Sequence, residues 1–288
     1  LGIGPEQVQE QYPRIIYCSI SGYGQTGPYR DRPGHDINYI ALGGLLGHTG
    51  RTGGPPVLPG TIIADLAGGG MQAVIGVLAA LLARQETGRG QYIDVSLQEG
   101  VVNLMAPMLQ MLNAGQPVGR GRTMLTGAAP WYNVYETADG KYLALGPVEP
   151  WFYVELCNIL GRPEWIPHQF DTAKWPEIGE EMARLFKEQP LAVWRERLEE
   201  AETCMTAVPE LSEILDDPQL KARGTFTRVT DAEGRETLQV RPLPPLPETP
   251  GEIRRAGVEP GADTDAILAE LGYAVEQREQ FRTAGSIG

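Results

Sequence analysis

The chain has 288 residues, 42% hydrophobic and 21% charged, which is enough for one large domain or two moderate ones with real cores. A formal net charge of −13 argues against nonspecific nucleic-acid binding and against attraction to anionic membranes, although a local arginine cluster could still hold an anionic small ligand. Three cysteines (Cys18, Cys157 and Cys204) are too few and too scattered for a disulfide framework or a zinc site, so a reducing compartment, the cytoplasm, is expected.

The opening stretch, Leu1 to Val8, lacks an initial Met and any signal-peptide pattern, and looks like the middle of a helix–loop unit. A preceding segment is therefore expected. Glu6 to Tyr12 predicts a short helix ended by Pro13. Arg14 to Ser21 is short, β-branched and bounded by breakers, as a buried strand would be. It runs into Gly22-Tyr-Gly-Gln-Thr-Gly27, which matches G-x-G-x-x-G in letters. A dinucleotide site also needs a helix to open there, and Pro28 and Pro33 in a polar loop argue against one. A glycine loop lining a ligand pocket is the better reading.

Asp36 to Leu46 predicts a helix, and Gly47 to Gly60 a Gly/Pro-rich loop with Arg51 as its only fixed charge. Beyond Asp65, the residues Val74, Ile75, Val77, Leu78, Leu81 and Leu82 mark an apolar face at helical spacing, with Gly88 and Gly90 as C-terminal caps. The apolar run within it, Ala73 to Ala83, is about half of the ~20 residues needed to span a bilayer, so no membrane helix is expected. Gln91 to Ser96 reads as a strand and Leu97 to Asn113 as one helix carrying Met105, Met108 and Met111 at three-residue steps. Those methionines suit either core packing or a soft surface for variable fatty chains. Alternating strands and helices to this point imply a parallel α/β unit.

The pattern changes after Arg122. Trp131 to Tyr135 and Lys141 to Gly146, joined through Asp139-Gly140, predict an antiparallel hairpin. An aromatic helix start follows at Trp151-Phe152-Tyr153. The expected organisation is a large α/β domain over 1–123, a small α+β domain over 124–240, and a return to the first domain over about 251–288. Pro242 to Pro250 is stiff and extended, and reads as a crossover linker over 241–250 rather than as a ligand for an SH3-like partner. A last helix is expected over Asp263 to Leu271, with Gly261 or Asp263 as its N-cap.

Between Gly34 and Gly70 stand two side chains able to carry a proton, His35 and Asp65, amid small and apolar residues. In a weakly hydrated pocket, a histidine and a carboxylate form a general acid/base pair. Each also has a structural reading: His35 as a satisfied core residue, Asp65 as a helix N-cap. The pair alone does not decide between them.

Ser21-Gly-Tyr-Gly-Gln-Thr-Gly-Pro28, Gly34-His-Asp-Ile-Asn-Tyr39, Ala64-Asp-Leu-Ala-Gly-Gly-Gly70 and Thr87-Gly-Arg-Gly-Gln91 together resemble the family III CoA-transferases, and within them the α-methylacyl-CoA racemase branch. Met124-Leu-Thr-Gly-Ala-Ala-Pro130, Val148-Glu-Pro-Trp-Phe-Tyr153, Thr203 to Pro209 and Asp263 to Gly272 extend the likeness, in order, over nearly the whole chain. The resemblance implies a Rossmann-like large domain whose first part lies before Leu1, together with several CoA-binding basic residues. It implies an interlocked homodimer with active sites between the large domain of one chain and the small domain of the other. By residue, it places the family's catalytic aspartate on Asp65, the racemase histidine on His35 and its supporting glutamate on Glu149. Gly34, Asp36, Tyr39, Thr61, Met124, Leu125, Thr126, Gly127 and Tyr132 fall where the family holds the thioester and pantetheine, and Met105, Met108 and Met111 where an acyl chain would lie. Thr61 stands where such racemases carry Asn, and Thr126 and Ala128 replace Asp and Gly of their loop, which leaves substrate choice open.

The implied chemistry is racemisation beside a thioester, with an acyl-CoA as substrate and no metal or redox cofactor. One base removes the α-proton, and the other returns a proton to the opposite face of the enolate. Backbone N–H groups at the helix start after Asp65 would face the enolate oxygen, and Glu149 would orient the imidazole and stabilise its charged form. Two alternatives stay open. One is a CoA-transferase in which Asp65 attacks the thioester to give a mixed anhydride; the other is a noncatalytic acyl-CoA-binding protein.

Overall fold

A computed structural model describes residues 2–199, 201–231 and 233–287 and has the mixed α/β architecture expected from the alternating pattern. The chain divides into two units, Leu1–Val208 and Pro209–Gly288. In the first, helix α1 (Pro5–Gln11) places Pro5 in its first turn, where a missing N–H leaves no helical bond unmade. Strands β1 (Tyr17–Ser21) and β2 (Tyr92–Ser96) then pair in parallel, from Tyr17 opposite Tyr92 to Ser21 opposite Ser96. Parallel strands need a crossover, and this one holds helix α2 (Asp36–Leu42), a π-helical segment (Ala64–Gly70) and helix α3 (Met71–Thr87). Gly88, at φ 70°, ends α3 in the left-handed conformation that glycine tolerates best.

Helix α4 (Leu97–Leu104) starts on Ser96, whose hydroxyl accepts the Glu99 N–H at 3.2 Å. It crosses the π-helical segment so closely that a Cβ on Gly100 would overlap the Gly68 carbonyl, and one on Gly68 would lie 2.7 Å from the Leu97 carbonyl oxygen. The small core here is Tyr39, Ile40, Ala64 and Val101. The single helix expected from Leu97 to Asn113 is instead broken. Helix α5 (Ala106–Asn113) begins after Met105, because Pro107 has no N–H to donate and its ring would press on the carbonyl one turn back.

Two further expectations are corrected at α3. The residues read as its core face, among them Val74, Ile75, Leu78 and Leu82, are exposed, whereas the buried ones are Ala73 and Ala80. The helix lies on the sheet through small residues, with Gly76 against Ile93, so the bulky side points away. The π-helical segment also continues directly into α3, giving 24 helical residues, Ala64–Thr87, long and apolar enough by length and composition to cross a bilayer. Counting only consecutive apolar letters missed that length, because the helix extends before the run through Ala64 to Gln72, rich in glycine and alanine, and after it through Arg84 to Thr87.

The rest of this unit is a three-stranded antiparallel sheet, β3 (Asn133–Glu136), β4 (Tyr142–Leu145) and β5 (Met205–Ala207), in that order. The predicted turn closes β3 onto β4 with Gly140 at φ 73° and the Thr137 hydroxyl donating to Asp139 Oδ1 at 2.6 Å. Helices α6 (Pro150–Leu160), α7 (Trp175–Phe186) and α8 (Leu191–Leu198) enclose a large core with Trp131, Tyr153, Leu156, Met182, Phe186 and Trp194 at its centre. On α7, Ile178, Met182, Leu185 and Phe186 are the buried stripe of an amphipathic helix. Burial here pushes the Cys157 thiol up to about 11 and the Tyr135 and Tyr153 phenols up further.

The second unit contains helix α9 (Pro218–Ala222), an antiparallel hairpin of β6 (Phe226–Thr230) and β7 (Glu236–Val240), and helices α10 (Thr264–Glu270) and α11 (Val275–Thr283). Arg278 and Arg282 of α11 both pair with Asp265 of α10, and the Tyr273 and Phe281 rings meet edge to face at 5.4 Å. The expected helix over Asp263 to Leu271 is present, with Asp263 at its N-cap.

The Gly68–Gly100 approach gives a stability test. Gly100→Ala should force the π-helical segment and α4 apart and lower unfolding free energy by about 1–3 kcal/mol, the usual cost of overpacking. Urea titration checks this; an unchanged midpoint would show that the crossing is not tight.

Candidate active site

His35 is the N-cap of α2, and its backbone N–H donates to Asn38 Oδ1 at 3.0 Å, which fixes the helix start. The next residue, Asp36, reaches across to Asp65: its Oδ2 accepts the Asp65 backbone N–H at 3.1 Å. One carboxylate thus ties the residue after His35 to Asp65, 29 positions further on. Asp65 is not an N-cap as the sequence allowed. It lies inside the π-helical segment, with Ile63 at the cap, and its own amide is already used by Asp36.

Tyr39 packs behind this pair. Its hydroxyl donates to the Gly34 carbonyl at 2.6 Å, and its ring meets Tyr23 edge to face at 5.1 Å. A Cβ on Gly22 would overlap that ring, so the glycine loop after β1 is shaped around Tyr39. No helix opens at this loop; Gly24 and Gly27 have φ 87° and 83°, and the Gln25 N–H is held by Asp94 Oδ2. Burial, then the Tyr23 phenol, then the Asp65 charge push the Tyr39 hydroxyl above its ordinary range. Hydrogen bonds thus tie Gly34 to Tyr39 and Asp36 to Asp65, with His35 between Gly34 and Asp36 in the chain. His35 and Asp65 are exposed in this chain, so the described residues do not enclose the weakly hydrated pocket expected from the sequence. Thr61 is also exposed, on the approach to the π-helical segment.

A second group of expected residues lines a different hollow. Leu125, Thr126, Gly127 and Tyr132 border an open cleft of about 1070 Å³ that also takes in Arg51, Lys187 and Cys204. Met124 packs against the large core beside it. Thr126 is locked to Thr123 by a 2.7 Å hydroxyl–hydroxyl bond, and the Gly127 carbonyl accepts from Asn133 Nδ2 at 3.1 Å. Lys187 pairs with Glu136 at 2.9 Å. Neither Arg51 nor Cys204 stood out as a site residue in the sequence; Arg51 was legible only as the single charge of a long loop.

Glu149 is the N-cap of α6, yet its side chain makes no capping hydrogen bond and is exposed. Its charge reaches Cys204, whose thiol is pushed up first by burial, then by Glu149 and Glu202. Among the described residues, no hydrogen bond or ion pair links Glu149 to His35. The methionines do not form one surface: Met105 is buried at the break before α5, and Met108 and Met111 are half-buried. Among the described residues no cluster of three or more His, Cys, Asp or Glu side chains is placed to hold a metal ion.

Residues 1–265 match the family described as CoA-transferase family III. The chain belongs to that family. It is 38% identical to alpha-methylacyl-CoA racemase of Homo sapiens over 288 residues, covering 98% of this chain and 74% of that protein. It is 33% identical to the succinyl-CoA–L-malate CoA-transferase beta subunit of Chloroflexus aurantiacus, covering 98% of this chain and 72% of that subunit. Among solved structures, a CaiB/BaiF family protein from Brucella suis superposes with a TM-score of 0.77 at 26% identity, over 94% of this chain and 71% of that one.

The tie between Asp36 and Asp65 can be tested by amide exchange. Asp36→Ala should speed exchange at the Asp65 N–H, with about 1 kcal/mol less protection, while Asp36→Asn keeps an acceptor oxygen and most of the protection. Equal protection in both variants would mean the bond does not hold the segment.

Proposed function

We propose that this protein racemises 2-methyl-branched acyl-CoA thioesters at the carbon beside the carbonyl. The observation that supports the reading is the Asp65 amide bond to the carboxylate of Asp36, the residue after His35. The greater likeness to racemases than to the transferase named above supports it. In one direction the imidazole of His35 takes the α-proton and the C–H electron pair moves onto the thioester oxygen as an enolate. The protonated carboxyl of Asp65 then delivers a proton to the opposite face. In the other direction the two groups exchange roles. Gly34, Asp36, Tyr39 and Thr61 would hold the thioester end, and no cofactor takes part; CoA enters as part of the substrate.

His35 and Asp65 are exposed, and an enolate needs shelter from water. A second copy of the chain, in the interlocked arrangement that the family resemblance implies, would supply that cover. It would bring the cleft at Leu125–Gly127 and Glu149 of the partner subunit to His35, where the carboxylate would orient the imidazole. The expected location is the cytoplasm. The runner-up is CoA transfer, in which the exposed Asp65 carboxylate attacks the thioester carbonyl, CoA leaves as its thiolate, and an acyl–aspartyl anhydride remains.

One enantiomer of a 2-methylacyl-CoA incubated in D2O separates these. Deuterium entry at the α-carbon with loss of handedness is the expected result, and His35→Ala should suppress exchange from one enantiomer at least roughly tenfold more than from the other. Exchange lost equally in both directions would remove the two-base mechanism. No exchange, with CoA passing to an added carboxylic acid, would make the protein a transferase. Neither reaction would leave a binding protein.

A further inference from the structure

Gln169 occupies an unusual place in the first unit. It lies just after a short 3-10 helix, is 4% exposed, and no apolar packing needs its amide. Its Nε2 donates to two successive carbonyls, Pro147 at 3.3 Å and Val148 at 2.9 Å. Its backbone carbonyl accepts two indole N–H groups, from Trp131 at 2.7 Å and Trp175 at 2.8 Å.

Each of these bonds has a structural cause. The connection from 146 to 149 leaves β4, and its last ladder-like bond is Gly146 N–H to the carbonyl of Cys204, the residue before β5, at 3.0 Å. The carbonyls of Pro147 and Val148 then have no strand partner, and Pro147 is buried, so both need a donor from elsewhere. Gln169 supplies both protons of one amide. The chain continues at once into Glu149 and α6, where the Tyr153 N–H returns to the Glu149 carbonyl at 3.1 Å. Glu149 is thus fixed ahead by the helix and behind by Gln169.

The other side of Gln169 reaches the binding loop. Trp131 follows Gly127 to Pro130 directly, and Asn133, two residues further on, holds the Gly127 carbonyl. The Trp131 and Trp175 rings meet edge to face at 6.2 Å and 89°, and both indoles donate to the one Gln169 carbonyl. One residue therefore joins the segment carrying Glu149 to the segment carrying Leu125, Thr126 and Gly127.

We infer that Gln169 is a positioning residue, one that sets the Glu149 carboxylate relative to the Leu125–Gly127 loop. The inference rests on the proposed role of Glu149. The need to satisfy the Pro147 and Val148 carbonyls explains why these bonds form. Their consequence for the site is that they hold the backbone immediately before Glu149, whose side chain makes no capping bond.

The test is a double-mutant cycle on the purified protein with a 2-methylacyl-CoA, reading kcat and KM from each enantiomer. Glu149→Gln tests the parent reading by itself; if it leaves kcat unchanged in both directions, that reading fails whatever Gln169 does. Given an effect of Glu149→Gln, Gln169→Met removes both donors at nearly constant volume. It should lower kcat roughly tenfold with KM within about twofold, a size expected for misplacing a reacting group by less than an ångström. Its directional bias should match that of Glu149→Gln, and in the Glu149→Gln background it should lower kcat by no more than about twofold further. A multiplicative loss in the double mutant, or kcat at the wild-type level in a folded Gln169→Met protein, overturns the inference. If Gln169→Met does not fold, Trp175→Phe decides. It keeps an aromatic side chain of smaller size at the same place and removes one of the two N–H groups on the Gln169 carbonyl. A several-fold kcat loss with the same bias supports the inference, and wild-type kcat overturns it.

Discussion

Two backbones meet at Gly68 and Gly100 with no room for a methyl group between them. That approach determines where Asp65 can be. The π-helical segment cannot rise off α4 without opening the small core of Tyr39, Ile40, Ala64 and Val101, and it cannot move closer. With the segment fixed in depth, the Asp36 carboxylate fixes its lateral position through the Asp65 amide. A π-helical turn suits this role physically. Its wider loop adds a residue per turn, which rotates the following side chains relative to a regular helix, and such turns recur at functional sites. The three-glycine run of the sequence is therefore a packing device, not a phosphate cradle.

The same helical stretch explains the open side of the unit. Small residues face the two-stranded sheet, and Met71, Val74, Ile75, Leu78 and Leu82 are each more than half exposed. An isolated soluble surface seldom carries so continuous an apolar face, and faces of this kind mark places where more polypeptide packs. His35 and Asp65 lie on the same unit and are also exposed. Water at that site would compete for the enolate oxygen and would remove the advantage of aimed dipoles. The proposed acid–base chemistry and the bare apolar helix would both be served by additional protein packed on this unit.

Much of this was readable from the letters. The β1–β2 pair, the β3–β4 hairpin with its Asp139-Gly140 turn and the start of α6 follow from alternation, turn chemistry and breakers, which are local signals; β5 and the β6–β7 hairpin went unread. The errors came where distant residues decide. Periodicity identified α3 as a helix but assigned its core face to the large residues, because nothing local says that a neighbouring strand will accept only Gly76 and alanines. Pro107 signals its break openly, yet the methionine spacing across it invited a single-helix reading. The Asp36–Asp65 bond spans 29 residues and has no sequence pattern, so Asp65 read equally well as a cap. Family likeness pointed to both residues; only the coordinates say how one holds the other. Gln169 had no signal at all, since a lone glutamine after a short helix is ordinary in every local respect.

Glu149 brings these threads together. At the N-cap of α6 the physical preference is for Ser, Thr, Asp or Asn, whose short side chains reach the free N–H groups of the first turn. Pro150 follows, so one of those N–H groups is absent already and the demand for a cap is reduced. A glutamate there adds a negative charge near the helix N-terminus, which the helix dipole favours modestly when the group is exposed. That small gain would equally be met by aspartate, which would also cap. What aspartate lacks is reach: the extra methylene carries the carboxylate away from the helix end, beyond capping distance and towards the surface, where the charge is felt at Cys204 on the rim of the cleft. Reach is therefore the physical difference between glutamate and aspartate at this N-cap, and the proposed role of Glu149 uses that reach.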